Sequence, residues 1–131
     1  MLQACAAPQL MTPDGQLADC ERSQCVSSLA HDPARSIEPI SYSGSRESAR
    51  LSLIRILGAM EGVKLVQQTE DYVHAEFTSR VMRSVDDLEL QFPRSASIVH
   101  VRSSSRGGYL DFDANRERVE SIRQQFDQIQ P

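Results

Sequence analysis

Tryptophan is absent from this chain of 131 residues, and aromatic residues make up 5% of it. A core must therefore be built from aliphatic side chains. Lysine occurs once, at Lys64, against 13 arginines; arginine makes planar bidentate pairs that lysine cannot. No stretch approaches the roughly 18 apolar residues that a membrane-spanning helix needs. The net charge of -4 and the pI near 5.3 exclude a global electrostatic pull toward nucleic acid or anionic lipid. Phosphate-cradling motifs of the Walker and G-x-G-x-x-G types are missing, as is the G-x-S-x-G elbow of serine hydrolases. Asp86 and Asp87 are adjacent on a predicted strand and so point to opposite faces. They cannot act as the close carboxylate pair of a glycosidase or two-metal site.

What is present fits one folded domain of ordinary composition, with 24% charged residues. Three cysteines stand near the start. Leu2-Gln3-Ala4-Cys5-Ala6 resembles the end of a bacterial lipoprotein signal, in which a small residue precedes a lipid-modified Cys. In that reading Cys5 carries the lipid and the domain sits outside the cytoplasm, in the periplasm or attached to the outer membrane. Cys20 and Cys25 can form a small disulfide loop in an oxidising compartment, or remain free thiols. A zinc site would need four ligands, and His31 is the only nearby addition. Pro8, Pro13 and Gly15 make residues 1–19 read as a flexible tether, with a single domain over 20–131.

Hydrophobic periodicity gives the order of elements. Residues 26–36 read as an ordered loop, and IEPISY (Ile37–Tyr42) as a strand confined to a sheet edge by Pro39. A helix follows Ser45, a natural N-cap, with Ala49, Leu53, Ile56, Leu57 and Met60 on one face and Gly62 as its stop. Four strands come next: Val63–Gln68, Tyr72–Thr78, Val85–Phe92 and Ser97–Ser103. The last two are joined by Pro93-Arg94-Ser95-Ala96, which predicts that Phe92 faces Ser97, Leu90 Val99 and Leu88 Val101. On the other face Glu89 would meet His100, and Asp87 would meet Arg102. A final helix begins after Asp111-Phe112-Asp113 and runs to about Ile129, with Val119, Ile122, Phe126 and Ile129 as its stripe. The expected fold is α+β: a mainly antiparallel sheet of about five strands with two amphipathic helices on one face, in the order β-α-β-β-β-β-α.

The segments CVSS (Cys25–Ser28), IEPISY, DYVHAEFTSRVMRSVDDLEL (Asp71–Leu90), VRSSSR (Val101–Arg106) and NRERVESIR (Asn115–Arg123) together resemble the DUF1499 family. The resemblance covers roughly residues 20–126 and implies a small bacterial or plastid protein, often exported or membrane-anchored. It supplies no reaction. Departures are a short Glu21-Arg22-Ser23-Gln24 spacer between the cysteines, Ser84 in place of an aromatic, Gly107-Gly108 in place of Val-Gly, and Asp113-Ala114 where a Gly is usual.

The segment from His100 to Arg123 concentrates the candidate site. Arg102, Arg106, Tyr109, Asn115 and Arg116 are the candidate ligand-binding residues, framing a loop before a helix start where an anion could bind. Asp111 and Asp113 crowd the same helix start and would repel phosphate. Arg83, Asp86, Asp87 and Asp111 are read instead as a structural polar network, with Asp86 neutralised by Arg106 or Arg83 because a charge on the core side is costly unpaired. The outer sheet face, with His74, Glu76, Asp87, Glu89, His100 and Arg102, reads as a solvated surface with cross-strand ion pairs, or else as a polar face for a divalent ion or cationic ligand. No catalytic residue, cofactor or metal is assigned. The expectation is a non-enzymatic extracytoplasmic binding or accessory domain of a lipoprotein, touching the membrane only through its lipid and not binding nucleic acid. The alternative is a protein or enzyme that binds a small anion or metabolite through the arginine loop; a protein partner is also compatible.

Overall fold

The computed structural model describes residues 10, 15–20, 24–79, 84–107 and 113–130. Its elements are β1 (Cys25–Ser27), β2 (Ile40–Ser41), helix α1 (Arg46–Ala59), β3 (Val63–Gln68), β4 (Tyr72–Thr78), β5 (Val85–Gln91), β6 (Ile98–Ser105) and helix α2 (Ala114–Ile129). The strands form one antiparallel sheet in the order β1-β6-β5-β4-β3, with β2 pairing to β6 off that path. The fold is α+β, as the periodicity predicts.

Local chemistry explains why the elements form where they do. The Ser45 hydroxyl accepts the Ser48 N–H at 3.0 Å, satisfying one of the donors that the first turn of α1 leaves open. Ala49, Leu53, Ile56 and Leu57 of α1 are buried, and so are Asn115, Val119, Ile122 and Phe126 of α2. Both stripes meet Val73, Ala75, Leu88, Leu90, Val99 and Val101 of the sheet in one core. Each fully buried aliphatic side chain contributes roughly 1.5–3 kcal/mol. Helix α1 packs along β3, α2 packs along β6 and β1, and the helices touch each other.

Gly62 returns the chain from α1 to β3 with φ +78°. A Cβ there would lie 2.6 Å from the Thr78 carbonyl oxygen. Only glycine fits both the angle and the contact.

Three expectations are corrected. First, IEPISY contributes only Ile40–Ser41 as strand, because Pro39 has no N–H to give a ladder. Val26 and Ser27, at the start of the expected 26–36 loop, belong to β1 instead. Second, the β5–β6 hairpin is offset by two residues from the predicted register: Leu90 faces Val101, Leu88 faces Ser103 and Glu89 faces Arg102. The connection is six residues long, from Phe92 to Ser97, and within it the Phe92 N–H goes to the Asp71 carbonyl at 2.8 Å rather than into the β5–β6 ladder. A slip of two leaves every side chain on its own face, so the alternation alone could not detect it.

Third, residues 15–19, expected within the tether, lie with Cys20 on the sheet face opposite the helices. Leu17 and Cys20 are buried, and Cys20 is joined to Cys25 by a disulfide. Cys5 lies outside the described residues.

Candidate functional site

The outer sheet face concentrates the ionisable groups. Strand alternation puts Tyr72, His74 and Glu76 of β4 on that face. In register beside them stand Gln91, Glu89 and Asp87 of β5. Arg102 of β6 lies next to Glu89. The sequence reading takes this face as solvated, and the structure corrects it: Glu89 is 0% exposed and Asp87 1%, with His74 and Arg102 also buried. The Gly15–Cys20 stretch is part of what removes the face from water.

Burial makes pairing obligatory. Glu89 has both oxygens engaged: the Tyr72 hydroxyl donates to Oε1 at 2.8 Å and Arg102 Nη1 to Oε2 at 3.1 Å. Arg102 Nη2 then donates to the Asp19 carbonyl at 3.2 Å, tying the array to the segment above it. Asp87 accepts His74 Nε2 at 2.7 Å; an ionised carboxylate only accepts, so that nitrogen carries the hydrogen. Arg106 adds a bidentate pair to Asp87 at 2.8 and 2.9 Å and reaches Glu76 at 2.8 Å.

The two buried acids respond in opposite ways. For Glu89 burial dominates and pushes its carboxyl above the usual range, with Tyr72 and Arg102 offsetting only part. Burial also pushes Asp87 upward, but the hydrogen bonds from His74 and Arg106 outweigh it and hold the group below the usual range. Burial, and then the neighbouring Glu89 charge, raises the Tyr72 phenol, while the Asp87 contact raises Arg106.

A second polar cluster lies on the helix side. Asn115 is 1% exposed. It accepts the Ser103 hydroxyl at 2.6 Å and donates to the Gln24 carbonyl and the Ser105 hydroxyl, each at 3.0 Å. Arg118 donates to Asn115 Oδ1 at 2.8 Å, pairs with Asp86 at 2.7 Å and lies over the Phe77 ring at 4.6 Å. The partner of Asp86 is therefore Arg118 rather than Arg106, which serves the opposite face; Arg83 lies outside the described residues. The helical wheel could have shown this, since Arg118 is three residues after Asn115 and next to Val119, on the border of the buried stripe.

The candidate ligand-binding residues do not converge. Arg102 and Arg106 lie on the outer face, and Asn115 is buried between α2 and the sheet. Arg116 faces away, holding the Ser36 and Ala34 carbonyls at 2.9 and 3.1 Å. Tyr109 and Asp111 lie outside the described residues. Sequence reasoning missed Tyr72 as a partner of Glu89; Tyr72, His74 and Glu76 repeating at every second residue is the signal that linked them.

Among the described residues, His74, Glu76 and Asp87 form the group whose donor atoms, within 4.8 Å of one another, could ligate a metal. Two of those donors, Glu76 and Asp87, already accept from Arg106, so a cation would have to displace the guanidinium.

Together these features define an α+β domain with helices on one sheet face and an internally paired ionic array on the other. The family described as protein of unknown function (DUF1499) matches residues 16–126, and the chain belongs to it. No curated protein matches the chain.

Proposed function

We propose that this chain is a non-enzymatic, extracytoplasmic accessory or binding domain of a lipoprotein, tethered through Cys5. One observation carries the non-enzymatic part: the side chains best suited to chemistry are spent on one another. Arg102 neutralises Glu89, Arg106 neutralises Asp87 and Glu76, and Arg118 neutralises Asp86. Acids and bases locked in this way hold strands and helices together. They are poorly placed to transfer protons to a substrate, which weighs against the alternative of an anion- or metabolite-binding enzyme. The Cys20–Cys25 disulfide supports an oxidising compartment, where such bonds persist.

The test is expression of the full-length gene product in a bacterium fed an alkyne fatty acid, beside a Cys5→Ala variant. The reading expects label on the wild type, recovery with membranes, and loss of both in the variant. Unlabelled protein in the cytoplasmic fraction contradicts it.

A further inference from the structure

The disulfide joins two segments with unequal anchorage. On one side, Cys25 belongs to β1, whose three residues pair in register with β6. Val26 is in the core. The neighbouring Gln24 carbonyl accepts from both the Ser105 N–H and Asn115 Nδ2, each at 3.0 Å. That side is built into the domain.

On the other side, the Gly15–Cys20 stretch lies at the surface, with Gly15, Gln16 and Asp19 exposed and Ala18 partly so, whereas all three residues of β1 are buried. Gln91 Nε2 donates to the Gly15 carbonyl at 2.7 Å, and Arg102 Nη2 donates to the Asp19 carbonyl at 3.2 Å. Leu17 is its one buried aliphatic side chain. Local stability follows burial, and this segment is far less buried than β1. The segment's Asp19 carbonyl caps Arg102, which pairs with the buried Glu89 on the face that also carries His74 and Asp87, charged and polar groups that water would solvate readily once admitted.

We propose that residues 15–20 are a strap and the Cys20–Cys25 disulfide its latch: reduction releases the strap and opens the buried ionic face to solvent, while the sheet and helices remain folded. The chemistry is thiol–disulfide exchange with a dithiol. One thiolate attacks a sulfur of the bridge, forming a mixed disulfide and expelling the other cysteine as thiolate. The second thiol of the reductant then closes on the first. Two electrons and two protons pass to the protein, giving two cysteine thiols, and the dithiol becomes a disulfide. The bridge closes a loop of sequence separation 5, and short loops give the least entropic stabilisation of a whole fold. A latch fits this bond better than a global staple. The inference does not depend on lipidation at Cys5.

The test compares the oxidised full chain, the same chain reduced with dithiothreitol, and a Cys20→Ser/Cys25→Ser variant. Proteolysis at the strap and hydrogen exchange of residues 15–20 report release; the side-chain NMR resonances of His74 report opening of the face. The proposal expects at least tenfold faster strap cleavage and exchange, and a His74 ring moved to a solvent-like environment, in both the reduced and the variant protein, with β4–β6 amides still protected. Unchanged strap protection and an unchanged His74 overturn it, because the latch would then hold nothing. Loss of protection throughout β4–β6 overturns it equally, because the bond would then be a staple of the whole domain.

Discussion

Arg106 grips Asp87 with two nitrogens, Nε to Oδ2 at 2.8 Å and Nη2 to Oδ1 at 2.9 Å. Lysine cannot reproduce that fork. Arg106→Lys is expected to lower stability by about 1–3 kcal/mol, less than the loss typical of a fully buried pair because Arg106 is partly exposed. Urea unfolding measures it, and an unchanged midpoint would show that the second contact is idle.

The inner pair should be costlier. Asp86 and Arg118 lie between α2 and the sheet, and Asp86 Oδ1 has no hydrogen-bond partner among the described residues. Removing one member leaves an uncompensated buried charge, so Arg118→Ala should destabilise by about 3–5 kcal/mol. Asp86→Asn with Arg118→Met should recover much of that loss. A double-mutant cycle with no coupling energy would refute the pairing.

The two buried outer acids should give opposite pH signatures. Asp87 is held below the ordinary value of about 3.9. Its stabilisation is present above that value and is lost as pH falls through its lower folded value. Glu89 is raised above the ordinary value of about 4.3. Its contribution is present below that value and is lost as pH rises through the raised folded value. Asp87→Asn should therefore flatten the acid limb of the stability curve. Glu89→Gln should remove the loss at higher pH and cost less at neutrality than Asp87→Asn. Unfolding midpoints across the acid-to-neutral range decide it; the reverse ranking would overturn the assignment.

Ser28 closes the end of the β1–β6 ladder with its side chain. Its hydroxyl oxygen accepts the Val101 N–H at 2.9 Å and lies 3.1 Å from His100 Nδ1. With burial holding His100 below its ordinary value, the neutral ring can accept the hydroxyl proton. Ser28→Ala leaves the Val101 N–H unsatisfied and should cost about 1–3 kcal/mol. An NMR titration of the wild type should place His100 below the ordinary histidine value of about 6.5.

Much of the fold was legible because its signals are local. The Ser45 cap, the stripe from Ala49 to Leu57, and the alternation of Tyr72–Thr78 each appear within one window of sequence. The β5–β6 offset was not legible, since a two-residue slip preserves both faces and only the Phe92–Ser97 connection distinguishes the registers. The outer face was misread because part of its cover comes from residues 15–20, where Gly15 reads as punctuation and Leu17 as an isolated apolar residue. Arg102, the partner of Glu89, is bound on its other side by the Asp19 carbonyl of that distant segment, and periodicity within a strand carries no information about it. Arginine on the border of a stripe usually snorkels to solvent, so sequence alone does not single out Arg118; here it pairs with the buried Asp86.

The central claim is that the arginines of the outer face serve the domain's own carboxylates. The most direct measurement follows the Arg102 and Arg106 Nε–H resonances of the oxidised chain during titration with inorganic phosphate and then citrate. Internal pairing predicts that both resonances stay in place and that the melting temperature does not rise. A saturable shift of either resonance, with a matching rise in melting temperature, would contradict the account.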